Sequence, residues 1–181
     1  RENPDAVVLA TGVKPAIPQI PGIDRANVVT AEDVLSGKAQ AGNRVVIIGG
    51  ELVGCETAEF LAELGKQVAV TRRGPKMAVK MNPSLSALLL FRLESKGVKL
   101  LPGVKYEEIT AQGLTVTDSQ GQRQTLVADT IVLAAGSVPQ TGLPQALKGQ
   151  LAEVYSVGDC VEPRTIADAE ADGARVGSSL K

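Results

Sequence analysis

The stretch RVVIIGGELVGCETAEFLAELGKQVAVTRR, residues 44–73, predicts a strand, a glycine turn, a helix and a second strand. Val45–Ile48 is an unbroken β-branched run, as expected for a parallel strand covered by helices on both faces. Gly49 and Gly50 end this strand, because a tight turn and a close phosphate both require backbone without a Cβ atom. Apolar residues then recur at helical spacing from Val53 to Leu64. This order is the phosphate-binding half of a dinucleotide-binding fold.

The glycine pattern departs from the dinucleotide fingerprint at one position. Gly54 is placed where the helix packs closely on the strand, but Glu51 stands where G-x-G-x-x-G has its second glycine. A carboxylate beside a pyrophosphate is unfavourable. Glu51 therefore either turns out to solvent or marks a site that has weakened or lost its ligand.

The second strand ends in two arginines, Arg72 and Arg73, close to twenty residues past the glycines. An NAD site usually has an acidic residue there for the ribose hydroxyls, whereas paired arginines suit a 2′-phosphate. The alternative is that both are solvated charges at a strand end. The pattern favours NADP(H) over NAD(H) without excluding the latter.

Composition excludes several classes of site. The chain has 181 residues, 44% hydrophobic content and a net charge of −1, which suits one sizeable core or two small ones. It has no histidine, so no Ser-His-Asp or Cys-His scheme can be built within it. Cys55 and Cys160 are too few for a four-cysteine metal site and are interpreted as packing residues.

The same composition bears on partners and location. Balanced charge and 2% aromatic content leave no basic patch or stacking platform for nucleic acid. No run approaches the length of a membrane span, and no signal peptide is recognisable, so we expect a cytoplasmic protein that binds neither nucleic acid nor membrane. The start at Arg1 without methionine, five residues before a buried strand, leads us to expect a piece of a longer polypeptide.

Further elements follow from local signals. Prolines between Val13 and Ala41 predict a linker with a short helix at Ala31–Ser36, and Asn82 with Pro83 predicts the start of a second crossover helix that ends at Gly97. Weak alternation separated by turn residues then predicts a small antiparallel meander. The predicted strands outside residues 44–73 are Ala6–Leu9, Val98–Leu101, Lys105–Thr110, Gly113–Asp118, Gln122–Ala128 and the buried Asp129–Gly136.

The whole chain resembles a known family of flavoproteins. The order of DAVVLATG, a proline-rich crossing, the glycine turn, a meander, DTIVLAAG and EVYSVGDCVEPRTI is similar to flavoprotein oxidoreductases that nest an NAD(P)H-binding domain inside an FAD-binding one. Glu153–Ile166 looks most like the group containing bacterial 2,4-dienoyl-CoA reductase, NADH:flavin oxidoreductases of the old-yellow-enzyme type and trimethylamine dehydrogenase. The resemblance implies hydride transfer from NAD(P)H to FAD and on to an acceptor site outside this chain.

The resemblance also implies roles for residues that spacing alone does not single out. Asp159 corresponds to the acid that accepts hydrogen bonds from the ribityl chain of FAD, and Gly158 allows its close approach. The alternative for Asp159 is an acid that caps the helix containing Arg175. Residues implied near the nicotinamide end or the domain junction are Glu56, Gly136, Thr11 and Gly12.

The fold class expected from residues and resemblance together is α/β. It comprises a Rossmann-like three-layer NAD(P)-binding domain, with a parallel sheet and an antiparallel β-meander, plus flanking pieces of an FAD-binding domain. The expected boundaries are 1–41 for the flank and crossing, 42–136 for the NAD(P)H domain and 137–181 for the return segment. An FMN barrel and an iron–sulfur cluster, where present, would belong to missing N-terminal domains of the same polypeptide.

Two alternatives remain open at this point. A structural module could hold ADP without NAD(P)H turnover, as in trimethylamine dehydrogenase-like relatives, and Glu51 gives that reading weight. A fragment of a pyridine nucleotide-disulfide reductase would keep its cysteine pair outside this chain. Homo-oligomerisation and the acceptor substrate are undetermined by the sequence.

Overall fold

A computed structural model of the chain describes residues 4–147, 149, 151 and 153–180. Arg1, on which the expectation of a fragment rests, lies outside the described residues. The strands are β1 (Ala6–Leu9), β2 (Val13–Pro15), β3 (Val28–Thr30), β4 (Arg44–Ile48), β5 (Gln67–Arg72), β6 (Lys99–Pro102), β7 (Lys105–Thr110), β8 (Gly113–Thr117), β9 (Arg123–Val127), β10 (Thr130–Leu133), β11 (Ser137–Pro139) and β12 (Glu153–Ser156). The helices are α1 (Ala31–Leu35), α2 (Leu52–Glu63), α3 (Pro83–Ser95), α4 (Gly142–Leu147) and α5 (Ile166–Ser179), and a 3-10 turn spans Gly158–Cys160.

The chain divides into two compact units. The insert unit is Ile17–Gly136, and the flanking unit runs up to Ala16 and resumes at Ser137. Segment 17–41 packs within the insert unit, where Ile20 and Val34 are buried. None of the described helices is long and apolar enough to cross a membrane.

The insert unit is built on a parallel sheet of five strands in the order β3-β10-β4-β5-β6. Its central strand β4 is buried from Val45 to Ile48. The carboxyl ends of all five strands lie at the same edge of the sheet, because parallel strands run in the same direction. The carboxyl ends of β4 and β5 therefore lie side by side, with Ile48 opposite Thr71.

The two faces of this sheet are covered differently. Val45 and Ile47 face helices α1, α2 and α3, whereas Val46 and Ile48 face the meander of β7, β8 and β9. The expectation that helices cover β4 on both faces is therefore wrong. An antiparallel meander with an apolar inner face, including Leu114 and Val116, excludes water as well as a helix does, so a continuous apolar strand does not distinguish the two covers.

The predicted mixed α/β fold with a parallel sheet and antiparallel strands is confirmed, and most of its elements lie within two residues of their expected bounds. Asn82 caps α3 as expected, accepting a hydrogen bond from the amide of Ser84 at 3.0 Å, with Pro83 in the first turn. The predicted strand Asp129–Gly136 is shorter, because hydrogen-bonded pairing with β3 and β4 covers only Thr130–Leu133.

The described residues of the flanking unit form two small sheets and two helices. Strand β1 pairs in parallel with β12, and β2 pairs antiparallel with β11. The sequence does not predict the β2–β11 pair. Both strands are three residues long and end in proline, which is tolerated because each is an edge strand of a two-stranded sheet.

Candidate functional site

The glycine turn between β4 and α2 has the geometry of a phosphate-binding turn. Gly49 has φ +126°, and a Cβ atom there would lie 2.1 Å from the carbonyl oxygen of Ala134. A Cβ atom on Gly54 would lie 1.9 Å from the carbonyl oxygen of Gly49. Both glycines are therefore required by contact with backbone, as the spacing predicts. The amides at the start of α2 have no intrahelical acceptor and point out of the turn.

A segment that the sequence did not single out lies over this turn. In this covering segment, residues 74–81, the Ala78 amide donates to the carbonyl oxygen of Gly50 at 2.7 Å. Met77 is buried, and its Sδ lies 2.3 Å from where a Cβ of Gly50 would be. Gly50 thus makes room for Met77, and its own role is to admit the covering segment.

Glu51 does not point out to solvent. It is the N-cap residue of α2, yet its side chain makes no capping hydrogen bond. Its Oε1 lies 2.6 Å from Nη2 of Arg72, and its Oε2 accepts from the amide of Lys80 at 3.2 Å. Oε1 is buried and, among the described residues, accepts no aligned hydrogen bond, so the contact with Arg72 is an ion pair. At this distance the attraction between opposite charges does not depend on hydrogen-bond alignment.

Arg72 and Arg73 have different surroundings. The guanidinium of Arg72 passes over Gly74, whose Cβ position is 3.3 Å from its Cζ, and Nη1 donates to the carbonyl oxygen of Lys76. Arg73 is exposed and lies over the ring of Tyr106, 5.9 Å from the ring centroid. In the part of the chain that the structure describes, Arg73 makes no ion pair. Of the two arginines predicted to bind the 2′-phosphate, Arg72 is therefore paired with Glu51, whereas the positive charge of Arg73 is not neutralised by a described carboxylate.

Together these residues fit the ADP half of a dinucleotide, with one departure. At Gly49 and Gly54 backbone carbonyl oxygens occupy the positions that Cβ atoms would need, so α2 starts close to β4, and its first turn supplies free amides. Lys76 and Lys80 add positive charge in the covering segment. Glu51 is the departure, and Arg72 neutralises it.

The residues implied near the nicotinamide end lie in the insert unit, and those implied at the domain junction lie in the flanking unit. Glu56 is exposed on α2, and Gly136 is exposed with φ +103° at the end of the insert unit. In the flanking unit, Thr11 Oγ1 donates to the carbonyl oxygen of Gln140 at 3.0 Å, and the carbonyl oxygen of Gly12 accepts from the Gln140 amide at 3.0 Å. These bonds join the loop after β1 to the loop after β11.

The predicted flavin-binding residues lie in the flanking unit. Gly158 is buried with φ +66°, and Asp159 is half-buried in the 3-10 turn. Asp159 Oδ1 accepts from the amide of Arg164 at 3.2 Å, and its Oδ2 accepts no hydrogen bond from the described residues. Asp159 is not the cap of α5, because Thr165 caps that helix in a capping box with Asp168. Asp159 also lines an open cleft of about 400 Å³ with Arg164, Thr165, Ile166, Ala169 and Glu170.

Asp172 fixes the turn that contains Asp159. It is buried on α5, accepts from the amide of Gly158 at 3.3 Å, and is ion-paired with Arg164 and with Arg175, the latter at 2.5 Å. Burial opposes ionisation of Asp172, but the Gly158 amide and the two guanidiniums outweigh it and lower the pKa of Asp172. The sequence offers one signal for Asp172: it is an acidic residue between alanine and glycine in α5, a helix rich in small residues.

The two cysteines are buried, as a packing role requires. Burial and the nearby carboxylate of Glu51 raise the pKa of the Cys55 thiol to about 11. Cys160 Sγ contacts the carbonyl oxygens of Leu9 and Val157. Neither thiol is placed as a nucleophile.

Comparison with known proteins identifies the family. The model of the pyridine nucleotide-disulphide oxidoreductase family matches residues 3–173. Bilirubin reductase from Mediterraneibacter gnavus (strain CC55_001C) is 39% identical over 89% of this chain, and NADH oxidase from Thermoanaerobacter brockii is 34% identical over 96% of it. A solved structure of 2-naphthoyl-CoA reductase superposes with a TM-score of 0.94, at 34% identity over 98% of this chain.

The chain spans only part of these proteins. It covers 25% of the length of the bilirubin reductase, 28% of the NADH oxidase and 27% of the 2-naphthoyl-CoA reductase chain. In each of them the matching region is one part of a larger polypeptide.

Proposed function

This chain belongs to the pyridine nucleotide-disulphide oxidoreductase family, and we propose that it is the nucleotide-binding part of an NAD(P)H-dependent flavoprotein oxidoreductase. The observation that carries the proposal is the glycine turn of the insert unit. Gly49 and Gly54 are both excluded from bearing a Cβ atom by backbone contacts, and the turn opens onto unpaired helix amides. Relatives named as reductases and an NADH oxidase support the same class of reaction.

The insert unit binds the pyridine nucleotide in this proposal. The amides of the first turn of α2 hold its pyrophosphate, and Arg73, whose charge is free, reads the 2′-phosphate of NADPH at the end of β5. Glu56 and Gly136 lie toward the nicotinamide. The nucleotide supplies a hydride and FAD accepts it, so the protein contributes binding and alignment.

The flanking unit contributes to flavin binding in the same proposal. Asp159 accepts hydrogen bonds from the ribityl chain, Gly158 allows its close approach, and Asp172 holds their turn against α5. The observation that supports this assignment is that Asp159 keeps one carboxylate oxygen out of the local hydrogen bonding and borders an open cleft.

We further propose that the parent enzyme is of the old-yellow-enzyme-type NADH:flavin oxidoreductase group. The likeness to 2-naphthoyl-CoA reductase over nearly the whole chain supports this assignment, because that protein and the 2,4-dienoyl-CoA reductase of the group are both named as reductases of CoA thioesters. In such a parent, FMN and an iron–sulfur cluster would be held by other domains. The proposed acceptor is an organic electron acceptor that binds outside this chain.

A structural ADP-binding module is the second candidate. Glu51 gives this candidate weight, because a glycine turn that departs from the dinucleotide fingerprint at this position need not support turnover of NAD(P)H. Exchangeable binding of NADPH or NADH distinguishes the two candidates.

Calorimetric titration with NADPH, NADH and ADP at one salt concentration tests the proposal. We expect saturable binding with NADPH the tightest, and Arg73→Gln is expected to weaken NADPH about tenfold while leaving NADH unchanged, because the guanidinium contacts only the 2′-phosphate. Arg123→Gln is the matched control, because Arg123 is an exposed arginine of the same unit on β9. Binding of ADP alone would favour the structural module, and no binding at all would contradict the proposal.

A further inference from the structure

The Glu51–Arg72 ion pair bridges two parts of the nucleotide site. Glu51 is at the glycine turn, where a pyrophosphate is held, and Arg72 is at the end of β5, where a ribose is read. A bound ADP moiety must span the same gap. The pair therefore lies in the path of the ligand.

The carboxylate of Glu51 leaves the helix amides free. It makes no capping hydrogen bond to α2, although a carboxylate at a helix N-terminus is normally stabilised there. It turns instead to Arg72 at 2.6 Å and to the Lys80 amide at 3.2 Å. The amides that would hold a phosphate thus remain available, while a negative charge stands beside them.

The guanidinium of Arg72 is positioned independently of Glu51. Nη1 donates to the carbonyl oxygen of Lys76, and the group lies against Gly74 at 3.3 Å from its Cβ position. When Glu51 releases it, Arg72 stays at the turn. A positioned guanidinium next to free amides is a phosphate-binding arrangement.

We propose that Glu51 and Arg72 form an internal latch of the nucleotide site, in which Arg72 binds Glu51 in the free protein and the pyrophosphate of the dinucleotide in the complex. This inference rests on the proposed function. It assigns Arg72 to the pyrophosphate, common to NADH and NADPH, and leaves the 2′-phosphate to Arg73. Glu51 also accepts a hydrogen bond from the Lys80 amide. Movement of Glu51 away from Arg72 therefore breaks one contact that holds the covering segment, residues 74–81.

Binding measurements on single and double variants test the latch. Glu51→Gln keeps the shape of the side chain but removes its charge, so NADH, NADPH and ADP should all bind about tenfold tighter, as expected when the free protein is mostly latched. Arg72→Gln should weaken NADH and NADPH by the same factor. The double variant should lie between the two single variants, because the repelling carboxylate is removed together with the attracting guanidinium.

Glu59→Gln and Arg92→Gln are the matched controls. They break a second Glu–Arg pair that involves α2, with a distance of 2.8 Å between Arg92 Nε and Glu59 Oε1. They should leave all three affinities unchanged. Thermal unfolding of every variant verifies that it is folded.

Hydrogen exchange gives a readout that needs no ligand. In the free protein, Glu51→Gln and Arg72→Gln should raise amide exchange in residues 74–81 severalfold, and Glu51→Gln should do so most at Lys80, because it alters the acceptor of that amide. The control variants should not change exchange there. Unchanged exchange in both site variants would overturn the latch.

The outcomes separate this inference from the proposed function. If the wild type binds NADPH but Glu51→Gln does not bind more tightly, the latch is overturned while the proposed function stands. If Arg72→Gln weakens only NADPH, Arg72 reads the 2′-phosphate and the latch is overturned. If neither the wild type nor Glu51→Gln binds any of the three nucleotides, both are overturned. Binding gained only in Glu51→Gln supports a latch that is fully closed in the wild type.

Discussion

Gly54 determines how close α2 approaches β4. The carbonyl oxygen of Gly49 occupies the position that a side chain at residue 54 would need, at 1.9 Å from an ideal Cβ. This contact is between two backbone segments, so no rotamer change can relieve an added methyl group. The start of α2, and with it the set of free amides, depends on the absence of one carbon atom.

Gly54→Ala should therefore destabilise the protein by about 3 kcal/mol, because the helix must move off the strand. Chemical denaturation followed by circular dichroism measures the change. Gly173→Ala, in α5, is the matched control: nothing lies within 4 Å of its Cβ position, and alanine should stabilise that helix by about 0.5–1 kcal/mol. Equal stability of the two variants would contradict the close contact at Gly54.

The sequence predicts the glycines of this site but not the ion pair beside them. The roles of Gly49 and Gly54 follow from local spacing, because backbone geometry at a turn depends on neighbours in sequence. The partner of Glu51 does not follow, because it depends on which rotamers Arg72 and the covering segment adopt across more than twenty residues of chain. The apolar pair Met77 and Ala78, within a stretch rich in Gly, Pro and Lys, is the sequence signal that residues 74–81 pack against the fold.

At the scale of elements, an ion-pair cluster connects α2 to α3. Glu59 is bound by Arg92 at 2.8 Å and by Lys96 at 2.7 Å, and Lys96 also contacts Glu63 at 2.6 Å. Hydrogen bonds from Arg92 and Lys96 lower the pKa of Glu59 to about 2. The cluster adds to the apolar contact that Leu61, Leu89 and Leu93 make in the same core.

This depressed pKa makes the helix pair sensitive to acid. Because Glu59 ionises more readily in the folded protein, its contribution is fully present above pH of about 4.5 and is lost as the pH falls toward about 2. The difference in melting temperature between the wild type and Glu59→Gln should be constant from pH 7 to 5 and shrink below that. A difference that stays the same down to pH 2 would show that Glu59 does not ionise preferentially in the fold.

Most elements of the insert unit are predictable because their signals are local. The apolar period of β4 and α2 and the Asn82–Pro83 start of α3 all lie within single windows of sequence. The β2–β11 pair is not predictable in this way, because Val13 pairs with Pro139 across the whole insert unit and neither strand has a period to detect. The packing of the meander on one face of β4 is not predictable either, because the apolar sequence of a strand reflects its burial and not the type of element that covers it.

At the scale of the whole molecule, the two units differ in how much apolar surface they bury. Among the described residues, the buried apolar side chains of the flanking unit are Leu9, Val157 and Cys160, whereas the insert unit has two large clusters. Each buried aliphatic side chain contributes about 1.5–3 kcal/mol. The flanking unit therefore has much the smaller core.

We expect the flanking unit to open at a lower free energy than the insert unit. Hydrogen exchange followed by mass spectrometry in increasing urea should show peptides of β1 and β12 exchanging by an opening reaction less stable than that of β4 and β10. One common opening energy for all four strands would show that the two units unfold together.

Strands β2 and β11 have a consequence for how this protein family can change. The segment that leads into the insert unit is hydrogen-bonded to the segment that leads out of it, with Pro15 opposite Ser137. The two attachment points of the insert unit are thus neighbours, whatever the length of chain between them. Recombination at these paired strands can exchange one insert unit for another without rerouting the surrounding chain. Under the proposed function, the choice of coenzyme can then evolve separately from the rest of the polypeptide.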